Sequence, residues 1–414
     1  MKYLLIANND TDGIGQTVIN LSNSLNIKGQ STKIAVLHKF TNNKNIVKIK
    51  RSFLARAISF LLNFLKKDFN ELFWFNISTV NFNNIEKYIN QADIIIVFTF
   101  HKIISSNILE KILSRNKLVY LRPLDMEMIS GGCHFNQNCN KFKNDCSFCP
   151  KLKLNSFFNV SKKNLLLKKN IIEKLKPKLI VQNNFVKNLI KQSSIFKTFN
   201  PKKIAVGVSG ARSKYHSKNI ARKKLGIDPK EKVILFTTYN LSSYNKGGHL
   251  LKKSLEILEK KFLINKKSFP LRLLTLGKKN NFELNLQKIS HTNRGIISSD
   301  NELNLYYRSA DVLVSPSIYD FGPHVINESI ANDLPVVAFK IGTAIDVIKN
   351  GVNGYLVPCF NTEKFAQSIQ KIIMKKKPFK NEVLRKKIKS FRSDSYEAKS
   401  FVDLSYKDFK KINF

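Results

Sequence analysis

The 414-residue chain is short of acid, of cysteine and of long apolar runs. Asp and Glu number 29 against 71 Lys and Arg, a formal charge of +42 at pH 7. Such an excess informs on partners rather than on fold, because it attracts anionic lipid headgroups or nucleic acid. The abundance of Lys, Asn and Ile is also what A+T-rich coding sequence yields, so composition accounts for much of the charge. No apolar run reaches the roughly 18 residues of a membrane-spanning helix, which excludes a transmembrane segment. The N-terminal MKYLLIANND carries no signal-peptide core, so the expectation is a cytoplasmic chain. Of five cysteines, four crowd into 133–149, which in a reducing compartment points to metal rather than to disulfides.

The length suggests two domains of about 200 residues each. Short β-branched runs predict strands at Lys2–Ala7, Ser31–His38, Ile94–Phe100, Lys117–Leu121 and Lys178–Gln182, with a helix over Thr17–Ile27. A second alternation gives strands at Val233–Thr237, Leu271–Leu276, Gly295–Ile297, Val312–Pro316 and Val336–Phe339. Strands separated by helical stretches argue two α/β, Rossmann-like domains with parallel sheets. The boundaries read as 1–205, with a cysteine-rich insert at 131–150, then a polar, basic linker at 206–222 containing Gly207 and Gly210. A domain at 223–385 and a basic helical tail at 386–414 complete the chain.

Residues 309–348 concentrate the chemistry. A buried strand leads into a loop with Asp320, Gly322, Pro323 and His324, and then into a helix carrying Glu328. Proline is tolerated in a helix's first turn, and a helix N-terminus at the carboxyl end of a parallel strand suits an anion or nucleotide. The alternative is that both acids are solvated helix-entry residues. Lys246 stands before Gly247 and Gly248 at the end of the second domain's first strand. Gly13 and Gly15 form a similar glycine loop after β-strand Lys2–Ala7, where backbone amides could approach phosphates or an acceptor. His101 follows the strand Ile94–Phe100. No D-x-D pair is placed to hold a catalytic divalent ion with a nucleotide, so none is expected.

Cys133, Cys139, Cys146 and Cys149, ending in a Cys-x2-Cys pair, suit tetrahedral structural zinc with Zn–S distances of about 2.3 Å. Loose thiols and an iron–sulfur cluster are the alternatives. His134 adjoins Cys133, so the two do not both serve as ligands. Over 47–75, Phe53, Leu54, Ala57, Ile58, Leu61, Leu62 and Leu65 recur at helical spacing, while Lys48, Lys50, Arg51, Arg56, Lys66 and Lys67 flank them. Such a basic amphipathic helix lies in a membrane interface or packs on a sheet.

The D-x7-E spacing of Asp320 and Glu328, with ESIANDLPVVAF downstream, resembles the donor-binding segment of family 4 glycosyltransferases, which usually reads E-x7-E. PLDMEMISGGCHF with a cysteine-rich loop ending in CP is similar to the branch of that family that includes colanic-acid-type exopolysaccharide enzymes. The resemblance spans most of the chain to about residue 360. It implies the GT-B architecture, two Rossmann-like domains facing a cleft, with a C-terminal helix that crosses back to the first domain. It implies a retaining glycosyltransferase moving a hexosyl group from a nucleotide-diphosphate sugar to a glycan or polyprenyl-linked acceptor, in surface-polysaccharide synthesis at the inner membrane face. Glu328 inherits the ribose contact, Asp320 the sugar hydroxyls, and Lys246 the diphosphate. Gly13, Gly15, Gly247, Gly322, Pro323 and His324 line the ligand, and His101 stands near the anomeric centre with Asp125 on the acceptor side. Leu241 occupies a position where the family often has arginine. The rival readings are a basic zinc-containing nucleic-acid-binding protein and a degenerate GT-B scaffold. No RNP, KH or helix-turn-helix pattern supports the former, and no nucleic acid is expected as a partner.

Overall fold

The structure is a computed structural model that describes residues 1–411 except 70–71, 154–158, 209–215, 265–268, 376–385, 387, 389 and 391. The chain divides into two compact units, Met1–Gly207 with Asp394–Phe414, and Val208–Ser393. Part of the expected linker, Gly210 included, and part of the expected basic tail lie outside the described residues.

In the first unit the strands are β1 (Lys2–Asn9), β2 (Ser31–His38), β3 (Ile46–Lys48), β4 (Ile94–Val97), β5 (Leu118–Leu121), β6 (Lys178–Val181) and β7 (Lys202–Lys203). They pair in parallel in the order β3-β2-β1-β4-β5-β6-β7. Every residue of β4 and β5 is buried, as strands covered on both faces require. Helix α1 (Gly13–Ile27) starts a turn earlier than the apolar pattern predicts, because Asp12 caps it by accepting from the Gly15 N–H at 2.7 Å. Helix α2 (Phe53–Leu61) follows β3, and helix α3 (Val160–Leu175) precedes β6. The C-terminal helix Asp394–Lys410 packs in this unit by an acidic face. Glu397 receives Arg122 Nη1 at 2.5 Å and the Gly207 N–H at 2.7 Å, and Asp408 receives the Tyr120 hydroxyl at 2.9 Å.

The second unit holds β8 (Lys232–Asn240), β9 (Leu271–Lys278), β10 (Ile289–Asn293), β11 (Val312–Ser315), β12 (Val336–Phe339) and β13 (Gly354–Val357), parallel in the order β10-β9-β8-β11-β12-β13. Helices α4 (Gly248–Ile264), α5 (Asp300–Ser309) and α6 (His324–Ala331) alternate with them. One predicted strand moves: Gly295–Ile297 is not extended ladder, and the strand lies at Ile289–Asn293. Gly295 has φ +71°, a left-handed turn that ends the strand before it.

Both sheets run outward from a first strand in one direction and return on its other side. The order therefore reverses between β1 and β4 in one unit and between β8 and β11 in the other. A crevice opens at the carboxyl ends of strands where the order reverses. Among the described residues, no helix is long and apolar enough to cross a membrane.

Candidate functional site

In the second unit, the loops that leave β8 and β11 meet at the reversal. The β8 loop turns through Gly247, at φ +72°, where a Cβ would fall 1.8 Å from the Pro316 carbonyl oxygen. Only glycine lets the loop lie that close. The Ile318 N–H donates to the Asn245 carbonyl at 2.9 Å and fixes the two loops together. This places Lys246 Nζ 2.6 Å from Asp320 Oδ2, while Asp320 Oδ1 accepts from the Gly322 N–H at 2.9 Å. A third loop, after β12, comes up beneath: a Cβ on Gly342 would sit 2.9 Å from the Asp320 carbonyl oxygen.

Pro323 precedes α6, and among the described residues no side chain caps that helix. Its first-turn amides and the Lys246 ammonium, about one-third exposed, make this crevice attractive to an anion. Leu241, by contrast, is wholly buried in the apolar core, so no cation comes from that position. Glu328 lies further along α6 and accepts from the Tyr307 hydroxyl of α5 at 2.5 Å. Burial raises the Glu328 carboxyl above its ordinary value, and the tyrosine hydrogen bond only partly offsets this. Burial and the neighbouring Glu328 push the Tyr307 phenol well above its own. Lys246, Asp320 and Gly322 are thus bonded together, with Gly342 packed close to them, whereas Glu328 is held by Tyr307. Tyr307 escapes sequence reasoning because its helix precedes the motif and nothing in a Tyr-Tyr pair marks it.

In the first unit, the equivalent reversal lies between β1 and β4. Asp10 is buried and accepts from the Phe40 and Thr41 amides at 2.8 and 2.9 Å and from the Thr41 hydroxyl at 2.7 Å. Burial pushes its carboxyl up, but these hydrogen bonds outweigh that and hold it below its ordinary value. The two loop glycines differ. A Cβ on Gly15 would lie 2.5 Å from the Asn9 carbonyl oxygen, and its N–H is already given to Asp12; Gly13 has nothing within 4 Å.

His101 follows β4, and its Nδ1 lies 2.9 Å from Glu127 Oε1. Glu127 and Asp125 are both buried, and the Glu127 N–H donates to Asp125 Oδ1 at 2.8 Å. His134 Nδ1 stands 3.5 Å from Asp125 Oδ2 and 3.8 Å from Glu127 Oε1. Burial pushes both carboxyls up; for Glu127 the imidazoles of His101 and His134 reverse this, while Asp125, facing Glu127, stays raised. Lys168 of α3, wholly buried, donates to the carbonyls of Glu127 and Ser130 and stacks 4.5 Å over Trp74, and burial lowers its ammonium to about 8. Glu127 and Lys168 are the partners that sequence reasoning missed. The one signal for Glu127 was a second acid two residues after Asp125.

The GGCH run has a packing cause. A Cβ on Gly131 would meet the Ser161 carbonyl oxygen at 2.4 Å, and one on Gly132, at φ +134°, the Trp74 carbonyl oxygen at 2.3 Å. Cys133, Cys139, Cys146 and Cys149 line one small cavity, of about 20 Å³, beside these glycines. The structure does not show the expected zinc site. Among the described residues no group of three or more His, Cys, Asp or Glu is arranged to hold a metal ion. Cys133 Sγ donates to the Ser130 hydroxyl at 3.3 Å, and Cys146 Sγ accepts the Gly131 N–H at 3.2 Å. Burial pushes the Cys146 thiol up to about 11 and raises Cys133 and Cys149.

Residues 217–391, which contain the Lys246–Asp320 crevice, match the family described as glycosyl transferases group 1. The second unit carries a glycosyl transferases group 1 domain. Over 79 residues the sequence is 34% identical to a protein of Methanocaldococcus jannaschii named uncharacterized glycosyltransferase MJ1607, covering 19% of this chain and 20% of that one. The chain thus matches about a fifth of that relative's length. Among solved structures, sucrose-phosphate synthase from Thermosynechococcus elongatus aligns with a TM-score of 0.68 at 14% identity, over 99% of this chain and all of that one. Anabaena HepE, solved with UDP and glucose, aligns with a TM-score of 0.66 at 13% identity, over 98% of this chain and 99% of that one. At such identities the likeness shows the fold alone: two parallel-sheet, Rossmann-like units of the GT-B type. Within the group 1 domain, Lys246, Asp320 and Glu328 all sit on segments that leave β8 and β11, the strands flanking the reversal.

Proposed function

We propose that the chain is a retaining glycosyltransferase that moves a hexosyl group from a nucleotide-diphosphate sugar to a glycan or polyprenyl-linked acceptor, in surface-polysaccharide synthesis. The observation that carries this reading is the Lys246–Asp320 contact at the strand-order reversal of a group 1 domain. That HepE has been solved with UDP and glucose supports a nucleotide-sugar donor here.

In the reaction, the bond between the anomeric carbon and the diphosphate oxygen breaks, and the acceptor oxygen bonds to that carbon on the same face. The acceptor proton passes to the leaving diphosphate, so no side chain need act as base. The diphosphate leaves readily, and the protein's task is to hold it, neutralise developing charge and position the acceptor. Lys246 and the α6 amides hold the diphosphate, with Gly247, Gly322, Pro323 and His324 shaping the crevice. Asp320 then releases Lys246 and turns to sugar hydroxyls, and Glu328 takes the ribose hydroxyls. On the acceptor side, Glu127 fixes the His101 ring, and the Gly13–Gly15 loop offers backbone amides to the phosphates or the acceptor. The chain acts in the cytoplasm at the inner face of the membrane.

The test is a panel of nucleotide-diphosphate sugars, scored by thermal shift and by donor hydrolysis, on the wild type, Lys246→Ala and Glu328→Ala. Stabilisation by one donor, lost in both variants, is expected. No shift with any donor, and identical behaviour of the variants, would sink the reading.

A further inference from the structure

We propose that the face built by α2 and the segment after it docks on an anionic lipid bilayer, and that the cavity behind it presents a lipid-linked acceptor to His101. The second clause rests on the function proposed above; the first does not.

None of the nine residues of α2 is buried. Phe53 is 82% exposed, Leu54 69%, Leu61 62% and Phe60 56%, so this is not a helix packed on its sheet. Phe60, Phe64 and Phe69, all exposed, form a cluster of edge-to-face rings with centroids 5.7 to 6.0 Å apart. A contiguous apolar face of this kind in water marks an interaction site rather than scattered surface residues.

The charge around it selects the occupant. From Lys39 to Asn84 the sequence has eight basic residues and two acids, Asp68 and Glu71, the latter outside the described residues. Lys48, Lys50, Arg56 and Lys67 are exposed around the apolar face. Apolar side chains ringed by exposed cations match the acyl boundary and headgroup layer of an anionic bilayer. A second copy fits poorly. A two-fold contact sets the same patch against itself, so basic surface would face basic surface.

The same segment lines a cavity of about 160 Å³ whose wall includes Ser59, Asn63 and Phe69 together with Lys102 and His101. An acceptor anchored by a lipid tail would therefore meet His101 from the membrane side of this unit.

The test floats the full chain with phosphatidylcholine vesicles, with and without roughly 30 mol% phosphatidylglycerol, at low salt and at about 0.5 M salt, where surface charge is screened. The variants are the triple Phe53→Ser, Leu54→Ser, Leu61→Ser, and the pair Arg56→Glu, Lys67→Glu; far-UV circular dichroism confirms folding. The wild type should bind anionic vesicles and keep most of that binding at high salt, while the serine triple loses at least about fivefold there. The glutamate pair should lose binding at low salt. Three results overturn the proposal: no wild-type binding to anionic vesicles; wild type and serine triple equally abolished by salt, meaning charge alone; or a dimer that the serine triple dissolves, with no vesicle binding. Flotation needs no donor, so its failure leaves the nucleotide-sugar thermal shift standing, and the reverse also holds.

Discussion

Lys246 and Asp320, 74 residues apart in sequence, are bonded at 2.6 Å across the point where the second sheet reverses its strand order. Each neutralises the other before any ligand arrives. A diphosphate must therefore draw Lys246 away from Asp320, and a sugar must repay Asp320 with hydroxyl donors. Asp320→Asn should separate the two roles. Bare nucleoside diphosphate should bind several-fold more tightly to the variant, because Lys246 is released. Turnover of the sugar donor should fall by about tenfold or more. Calorimetry with the diphosphate and with its sugar conjugate measures both, and a parallel change in the two would remove Asp320 from the sugar contact.

Glu328 carries a cost that Glu328→Gln should reveal. Burial raises its carboxyl, so the folded state holds the proton more tightly than the unfolded state. Its contribution to stability is therefore fully present below the ordinary carboxylate range and is lost as pH rises through the raised value. At neutral pH the charged side chain is a liability, and glutamine removes it while keeping an acceptor for Tyr307. The variant should melt higher by roughly 2 °C or more at pH 7, with the gain vanishing towards pH 4, yet bind nucleotide sugar worse. Calorimetric melting across that pH range decides it.

Glu127 has the opposite sign. Burial alone would raise its carboxyl, but His101 and His134 hold it down, from an ordinary 4.5 to about 2. Its stabilisation is present above the ordinary value and is lost as pH falls between those two limits. Glu127→Gln should cost about 3 kcal/mol at neutral pH, because it leaves a buried network short of its charge. Urea denaturation should find the variant flatter than the wild type between pH 4.5 and the acid limit.

The two glycines of the first loop should part company. Gly15→Ala drives a Cβ into the Asn9 carbonyl and should cost about 2 kcal/mol or more, whereas Gly13→Ala meets open space and should stay within about 0.5 kcal/mol. Chemical denaturation of the pair checks this directly.

What the sequence made legible follows from local chemistry. Short β-branched runs such as Val336–Phe339, buried throughout, and Ser31–His38, buried from Ile34 to Leu37, were readable to the residue. The strand–loop–helix of 309–348 was equally plain, because Pro323 and the apolar runs bracket it. Partnerships were not. Tyr307 reaches Glu328, Glu127 reaches His101, and Lys168 reaches the Glu127 carbonyl only after helices have packed. The spacing of the cysteines was plain in the sequence; the close fit of Gly131 and Gly132 beside the cavity they line was not. Helix α2 showed its amphipathic pattern in sequence, but only the fold shows that, among the described residues, nothing buries any of its side chains.

The most direct test of the central claim is calorimetric titration of the stabilising nucleotide-diphosphate sugar into the wild type, Lys246→Ala and Glu328→Ala. Charge-assisted contacts to diphosphate and ribose predict saturable one-site binding to the wild type, weakened by about tenfold or more in each variant. Equal affinity in all three proteins would contradict a donor site at the β8–β11 reversal.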